Sequence, residues 1–139
     1  HKDFLSGHLE ALRNAAKRNP FKIVYSTMIV SSQKEFEEAR AALSFRLVDS
    51  PQEVKDYIGM TEEINNQIKT ALSEGGPSNA AKYVPSEWVE QFVITGSSSE
   101  ASEELINLFD KNGIDEFQLP IGNPEEAEKV ISRTSKMFN

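Results

Sequence analysis

The sequence predicts a helix-rich α/β fold with two or three parallel strands, and three observations carry that reading. Apolar runs rich in β-branched and aromatic residues occur at residues 21–30 and, shorter, at 92–96 and 117–121. Helical patterns of roughly 12–16 residues alternate with them, as βαβ units of a parallel sheet require. The strands are too few to complete a sheet against so many helices, so the pattern reads as part of a barrel.

The elements follow in order. "DFLSGHLEALRNAAKR" places Leu5, His8, Leu9, Leu12 and Ala16 on one helical face. Asn19-Pro20 breaks that helix. "FKIVYSTMIV" is the strongest strand, apolar on both faces as a buried parallel strand needs. "SSQKEFEEARAALSFRLV" reads as a helix opened by a Ser32/Glu35 capping box, with Phe36, Ala39, Leu43 and Leu47 as its stripe. Ser50, Pro51 and Glu53 repeat the start signal for a short helix to about Tyr57. Gly59 ends it. Thr61 caps a further helix with Ile64, Ile68, Ala71 and Leu72 as the apolar face.

Residues 73–83, "SEGGPSNAAKY", have loop composition and predict a surface loop. Pro85-Ser86 opens a short helix through Trp88. Residues 92–96 form a short strand ended by Gly96. Ser97 and Glu100 make another capping box, and the helix with Ala101, Leu105, Leu108 and Phe109 stops at Asn112-Gly113. After the last strand, Asn123 caps, Pro124 takes the first helical position and Glu126 completes a box. The final helix shows Ala127, Val130, Ile131, Thr134 and Phe138 on one face.

Length and charge bound the function. The 139 residues suit one domain spanning 1–139. A formal charge of −7 argues against nucleic acid, despite Arg13, Lys17 and Arg18 near the start. The absence of cysteine removes disulfides and thiolate chemistry and fits a cytoplasmic protein. No apolar run approaches the roughly 20 residues of a membrane span, and no signal peptide is visible. The chain opens at His1 almost directly into a helix, which fits either a processed start or a piece of something longer.

Several constellations invite a chemical reading. At Gly122-Asn123-Pro124 the N–H groups of a helix start could hold an anion. Glu125 and Glu126 oppose that, and Pro124 lacks a donor, so a plain capped turn is favoured. "TGSSSEASEEL" resembles a phosphate cradle but lacks the P-loop lysine and spacing. His1 and His8 share a helical face, but a metal site would need a third ligand such as Asp3, and His8 reads more simply as packed on the stripe. Arg40 and Arg46 read as solvated or paired with Glu37 and Asp49. Trp88, with Tyr83 and Phe92, reads as core rather than a lid. No catalytic set emerges. In a parallel barrel, sites lie at the carboxyl ends of strands, which selects Met28, Val30, Ser31 and Ser32, and Pro120, Ile121, Gly122 and Asn123.

Two longer stretches then carry a family resemblance. "EEARAALSFRLVDSPQEVKDYIG" resembles the helical segment after strand seven of the luciferase-like monooxygenase superfamily. "VPSEWVEQFVITGSSSEASEELINLFDKNGIDEFQLPIG" resembles its closing signature, which leads into strand eight. The first helix and residues 21–31 are similar to its helix six and strand seven, so the resemblance covers nearly the whole chain. "PIGNPEEA" is most similar to the deazaflavin-dependent branch, where methylenetetrahydromethanopterin reductases have a similar turn. Where family patterns often read Gly-Thr-Pro, this chain has Gly96-Ser97-Ser98. The resemblance implies the C-terminal portion of a (β/α)8 TIM barrel: helix six, strand seven, inserted helices, strand eight and a final helix. It implies an enzyme that transfers hydride between a deazaflavin coenzyme or FMN and a small-molecule substrate. The family's main cofactor contacts lie upstream, so no catalytic residue carries over, and the eight strand-end positions would line the mouth at most. The isolated chain is expected to bind neither cofactor tightly, to be inactive alone, and to associate with itself or with a missing N-terminal half. A non-catalytic interaction module derived from a partial barrel is the alternative, and an ordinary small α/β domain with an anion site at Asn123 is a third.

Overall fold

The computed structural model describes residues 1–16 and 21–138. The break at Asn19-Pro20 and the basic residues Lys17 and Arg18 lie outside the described residues. Two compact units emerge, one formed by His1–Ile29 with Ile94–Asn139 and the other by Val30–Val93. Helices dominate both, and the described strands are short, so the chain is a helix-rich α/β protein.

In the first unit, a 3-10 turn at Lys2–Phe4 leads into α1, Leu5–Ala15. Leu9 is buried with Ile23 and Ile114, and Leu5, Tyr25 and Phe109 pack around them. The apolar stripe is narrower than its spacing implies. His8 is exposed, against the expectation that it packs, and Leu12 is 54% exposed. This neighbourhood covers little more than the Leu5–Leu9 line of the helix.

The single strand expected at 21–30 is instead two, β1 at Val24–Tyr25 and β2 at Ile29–Val30. The chain changes partner between them. The Tyr25 carbonyl accepts from the Gln118 N–H at 2.8 Å, whereas the Met28 carbonyl accepts from the Ile94 N–H at 3.0 Å. Nor is the segment covered on both sides. Between 22 and 27, Ile23 and Thr27 are buried while Lys22, Val24 and Ser26 are exposed, the two-residue alternation of a sheet covered on one face; Phe21 breaks it by being 43% exposed, and β2 is buried at both Ile29 and Val30.

β3, Ile94–Thr95, pairs with β2. It feeds α6, Ser98–Asn112, through a complete capping box: Ser97 accepts from the Glu100 N–H, and the Glu100 carboxylate accepts from the Ser97 N–H at 2.8 Å. Ala101 and Leu105 are fully buried with Ile29, Ile94 and Met137. Gly113 ends α6 with φ 57°, a left-handed cap that glycine adopts without the usual Cβ clash.

β4, Glu116–Phe117, runs parallel to β1 with Val24 opposite Glu116 and Tyr25 opposite Phe117. Asp115 accepts the Ile23 N–H at 2.8 Å, and Lys22 pairs with Glu116. A 3-10 turn at Pro124–Glu126 then opens α7, Ala127–Ser135. Its inward residues are Thr134 and, just beyond, Met137. Ile131 and Phe138, expected inside, are 52% and 44% exposed. Docking through Thr134 and Met137 turns the other apolar side outward, although Phe138 still meets the rings of Phe109 and Phe117.

The second unit is helical: α2 at Gln33–Val48, α3 at Gln52–Tyr57, α4 at Glu62–Ala80 and α5 at Ser86–Phe92. α2 packs against α4 and α5. Its buried residues Ala39, Leu43 and Leu47 belong to this interior, with Ile68 and Ala71 of α4 and Trp88 and Val89 of α5. Trp88 is therefore core.

Three local readings change in this unit. Ser32 caps α2, but the Glu35 carboxylate accepts from the Ser31 N–H and hydroxyl rather than closing the box. Ser50 does not cap α3; its hydroxyl donates to the Arg46 carbonyl at 2.9 Å, leaving Pro51 at the N-cap. Residues 73–83 are not a loop. α4 runs through them with a kink at Gly76, φ 71°, and a 3-10 turn at Ala81–Tyr83 follows. Pro77 is tolerated because it begins the second helical piece, where its missing N–H has no helical partner to lose. Asn79 reaches back across the kink and donates to the Ala71 carbonyl at 3.2 Å.

Candidate functional site

The strand ends selected from sequence divide between the two units. In the first unit Met28 is half-buried, and its carbonyl is committed to Ile94. One residue on, the Ile29 carbonyl accepts from Arg133 Nη2 of α7 at 3.2 Å. Thr27 is buried, and its hydroxyl bonds Tyr25. Burial pushes the Tyr25 phenol above its ordinary value of 10.0; the Thr27 hydrogen bond opposes that rise, and the charge of Glu104 adds to it.

Tyr25, Thr27 and Arg133 were not selected from sequence. Tyr25 and Thr27 carry a usable signal, since two residues apart in extended chain they share a face. Arg133 carries none, because it meets a carbonyl 104 residues earlier.

Pro120, Ile121, Gly122 and Asn123 are exposed. Asn123 behaves as a cap, but its side-chain oxygen accepts from the Glu125 N–H at 3.0 Å, and the box expected with Glu126 does not form. The turn does not fit the phosphate of a flavin or deazaflavin. Its side-chain oxygen is already used, Pro124 has no N–H, and Glu125 and Glu126 set two carboxylates at the helix start.

In the second unit Val30 is buried, and Ser31 and Ser32 are exposed and engaged in the start of α2. Arg40 lies against the Phe36 ring, 3.6 Å from Glu37, and donates to the Ser86 hydroxyl. The Glu37 pairing read from sequence is present, and the bond to α5 is additional.

A cavity of about 550 Å³ lies in the first unit, with Lys2, Asp3, Ser6, Glu104, Asn107 and Lys111 among its walls. Part of its polar lining is used internally. Lys2 and Glu104 pair at 2.6 Å, and Ser6 donates to Asn112 at 2.7 Å. Among the described residues no group of three His, Asp or Glu side chains is placed to hold a metal ion. No helix among them is long and apolar enough to cross a membrane.

The fold and strand ends thus define a helix-rich α/β protein in which four of the sequence-selected positions, Met28, Ser31, Ser32 and Asn123, are engaged in backbone pairing or helix starts. No protein-family model, curated protein or solved structure matches the chain.

Proposed function

We propose that this chain is the C-terminal part of a luciferase-like oxidoreductase, similar to the deazaflavin-dependent branch. The complete enzyme, cytoplasmic and acting on a small organic molecule, would transfer hydride between that substrate and a deazaflavin or FMN. The observation that carries the reading is the parallel pairing of β1 with β4 in the register Val24 to Glu116. Under the resemblance these are strands seven and eight, which are neighbours in a (β/α)8 barrel. The helices α1 and α6 cover one face of the pair, as an outer helical layer does.

In this reading residues 1–139 supply barrel wall and part of the mouth. They position a substrate beside Met28 and the 120–123 turn, and the phosphate-binding contacts belong to upstream segments. The test compares the natural polypeptide with the isolated chain. A natural mass near twice this one or more is expected, with deazaflavin or FMN bound by that protein and by the isolated chain only weakly. Tight stoichiometric binding by residues 1–139 alone, or a natural protein of this length, overturns it.

A second reading is a non-catalytic, self-associating module, favoured by Val24 of β1 and by Phe21 three residues before it, which are 50% and 43% exposed. Sedimentation of the isolated chain across concentration separates the two. A dimer abolished by Val24→Lys, from a protein of this natural length, supports the module.

A further inference from the structure

We infer that Asn112 is a latent modification site, a deamidation-prone asparagine that α1 holds shut. Asn112-Gly113 is the one Asn-Gly step in the sequence. At such a step the glycine nitrogen attacks the asparagine Cγ. A nitrogen–carbon bond closes a five-membered succinimide, the Cγ–Nδ2 bond breaks, and ammonia leaves with the proton given up by the backbone nitrogen. Water then opens the ring to aspartate or isoaspartate. Glycine favours the attack because no side chain crowds the nitrogen. Asn19 and Asn123 precede proline, which has no N–H to lose.

In the folded chain every group the reaction needs is engaged. The Gly113 N–H donates to the Phe109 carbonyl in the left-handed cap. Asn112 Nδ2, the leaving group, donates to the Leu108 carbonyl at 2.9 Å. Asn112 Oδ1 accepts from the Ser6 hydroxyl at 2.7 Å. Arg13 donates to the Asn112 carbonyl and, at 3.2 Å, to that of Gly113. Asn112 is 4% exposed. Ser6 and Arg13 both belong to α1, so release of α1 removes two of the guards together.

The change is one-way. A carboxylate at 112 cannot donate to the Leu108 carbonyl, and it adds negative charge at the helix end that already carries it. Deamidation at this step therefore accumulates with the time that α1 spends released.

The test incubates the chain in mildly alkaline buffer and follows the peptide containing Asn112 by mass and isoaspartate content. Four samples are compared: folded wild type, wild type in denaturing urea, and the folded single variants Ser6→Ala and Arg13→Ala. The expected order is slow, fast and, for both variants, intermediate. Loss of the Ser6 hydrogen bond should raise the folded-state rate roughly fivefold. A folded wild-type rate equal to that in urea, conversion absent in urea, or folded variants indistinguishable from wild type overturns the inference. If either variant fails to fold, the wild-type comparison in and out of urea still decides it.

Discussion

Arg13 of α1 donates to the backbone carbonyl of Asn112, the last residue of α6, across 99 positions of sequence. The contact satisfies a carbonyl that helix geometry leaves without an internal partner, and it sets a cation where the helix dipole is negative. Arg13→Ala should lower unfolding stability by about 1 kcal/mol, read as a shift of the urea midpoint without a change of slope. Arg13→Lys should recover part of the loss.

Leu105 has no exposed surface and sits with Ile29, Ile94, Ala101 and Met137. Leu105→Ala removes three buried carbon atoms and leaves a cavity, so a loss of about 2–5 kcal/mol is expected in calorimetry or denaturant titration. Ile106→Ala next to it, from a side chain 45% exposed, should cost less than about 1 kcal/mol.

The kink at Gly76 gives a backbone prediction. With φ at 71°, Gly76→Ala puts a Cβ into the left-handed region and should destabilise by about 1 kcal/mol. Gly75→Ala acts differently: its new Cβ would stand 2.9 Å from the Asn79 Cβ and disturb the bond to Ala71. If strain at 75 is steric, the Gly75→Ala/Asn79→Gly double mutant, which removes the Cβ that is met, should lose less than the two single losses summed.

Glu100 predicts an acid limb. Its folded pKa lies below the ordinary 4.5, chiefly because its carboxylate accepts the Ser97 N–H. A depressed carboxylate contributes stability that is present above 4.5 and is lost as pH falls through its folded value. Glu100→Gln should therefore lower stability near neutral pH and flatten its decline in acid. Urea midpoints measured across that range check both.

Tyr25 predicts the alkaline side. Its phenol is raised above 10.0 by burial, so its contribution is intact below that value and is lost as pH rises through the folded value. Absorbance titration of tyrosinate should show one of the tyrosines ionising late, and Tyr25→Phe should remove that component.

The helices were legible because their signals are local. Thr61 and Ser97 cap where their spacing to Ile64 and Glu100 says they should, and Gly113 ends α6 as an αL glycine does. The strand at 21–30 misled because hydrophobicity alone does not report which partner a residue pairs with, and the chain exchanges β4 for β3 between Tyr25 and Met28. Residues 73–83 misled because loop composition also suits a kinked helix: Gly76 turns the backbone, and Pro77 starts the next piece. At the strand ends, Asn123 was readable as a cap from Pro124 and the acidic run. Arg133 was not, since only the folded chain brings it to the Ile29 carbonyl.

The division of the chain has a consequence for how it is made. Val30–Val93 is continuous, whereas the other unit is assembled from two separated stretches. On a ribosome, the helical segment emerges whole and has all of its own interior residues available before α6 and β4 exist. The first stretch, with Ile23 and Leu9, must wait with its apolar side chains uncovered until Ile94, Leu105 and Ile114 are synthesised. Vectorial synthesis therefore gives the two units different timetables. The interval in which Leu9 and Ile23 wait is the one in which a chaperone, or another nascent copy, has most to bind.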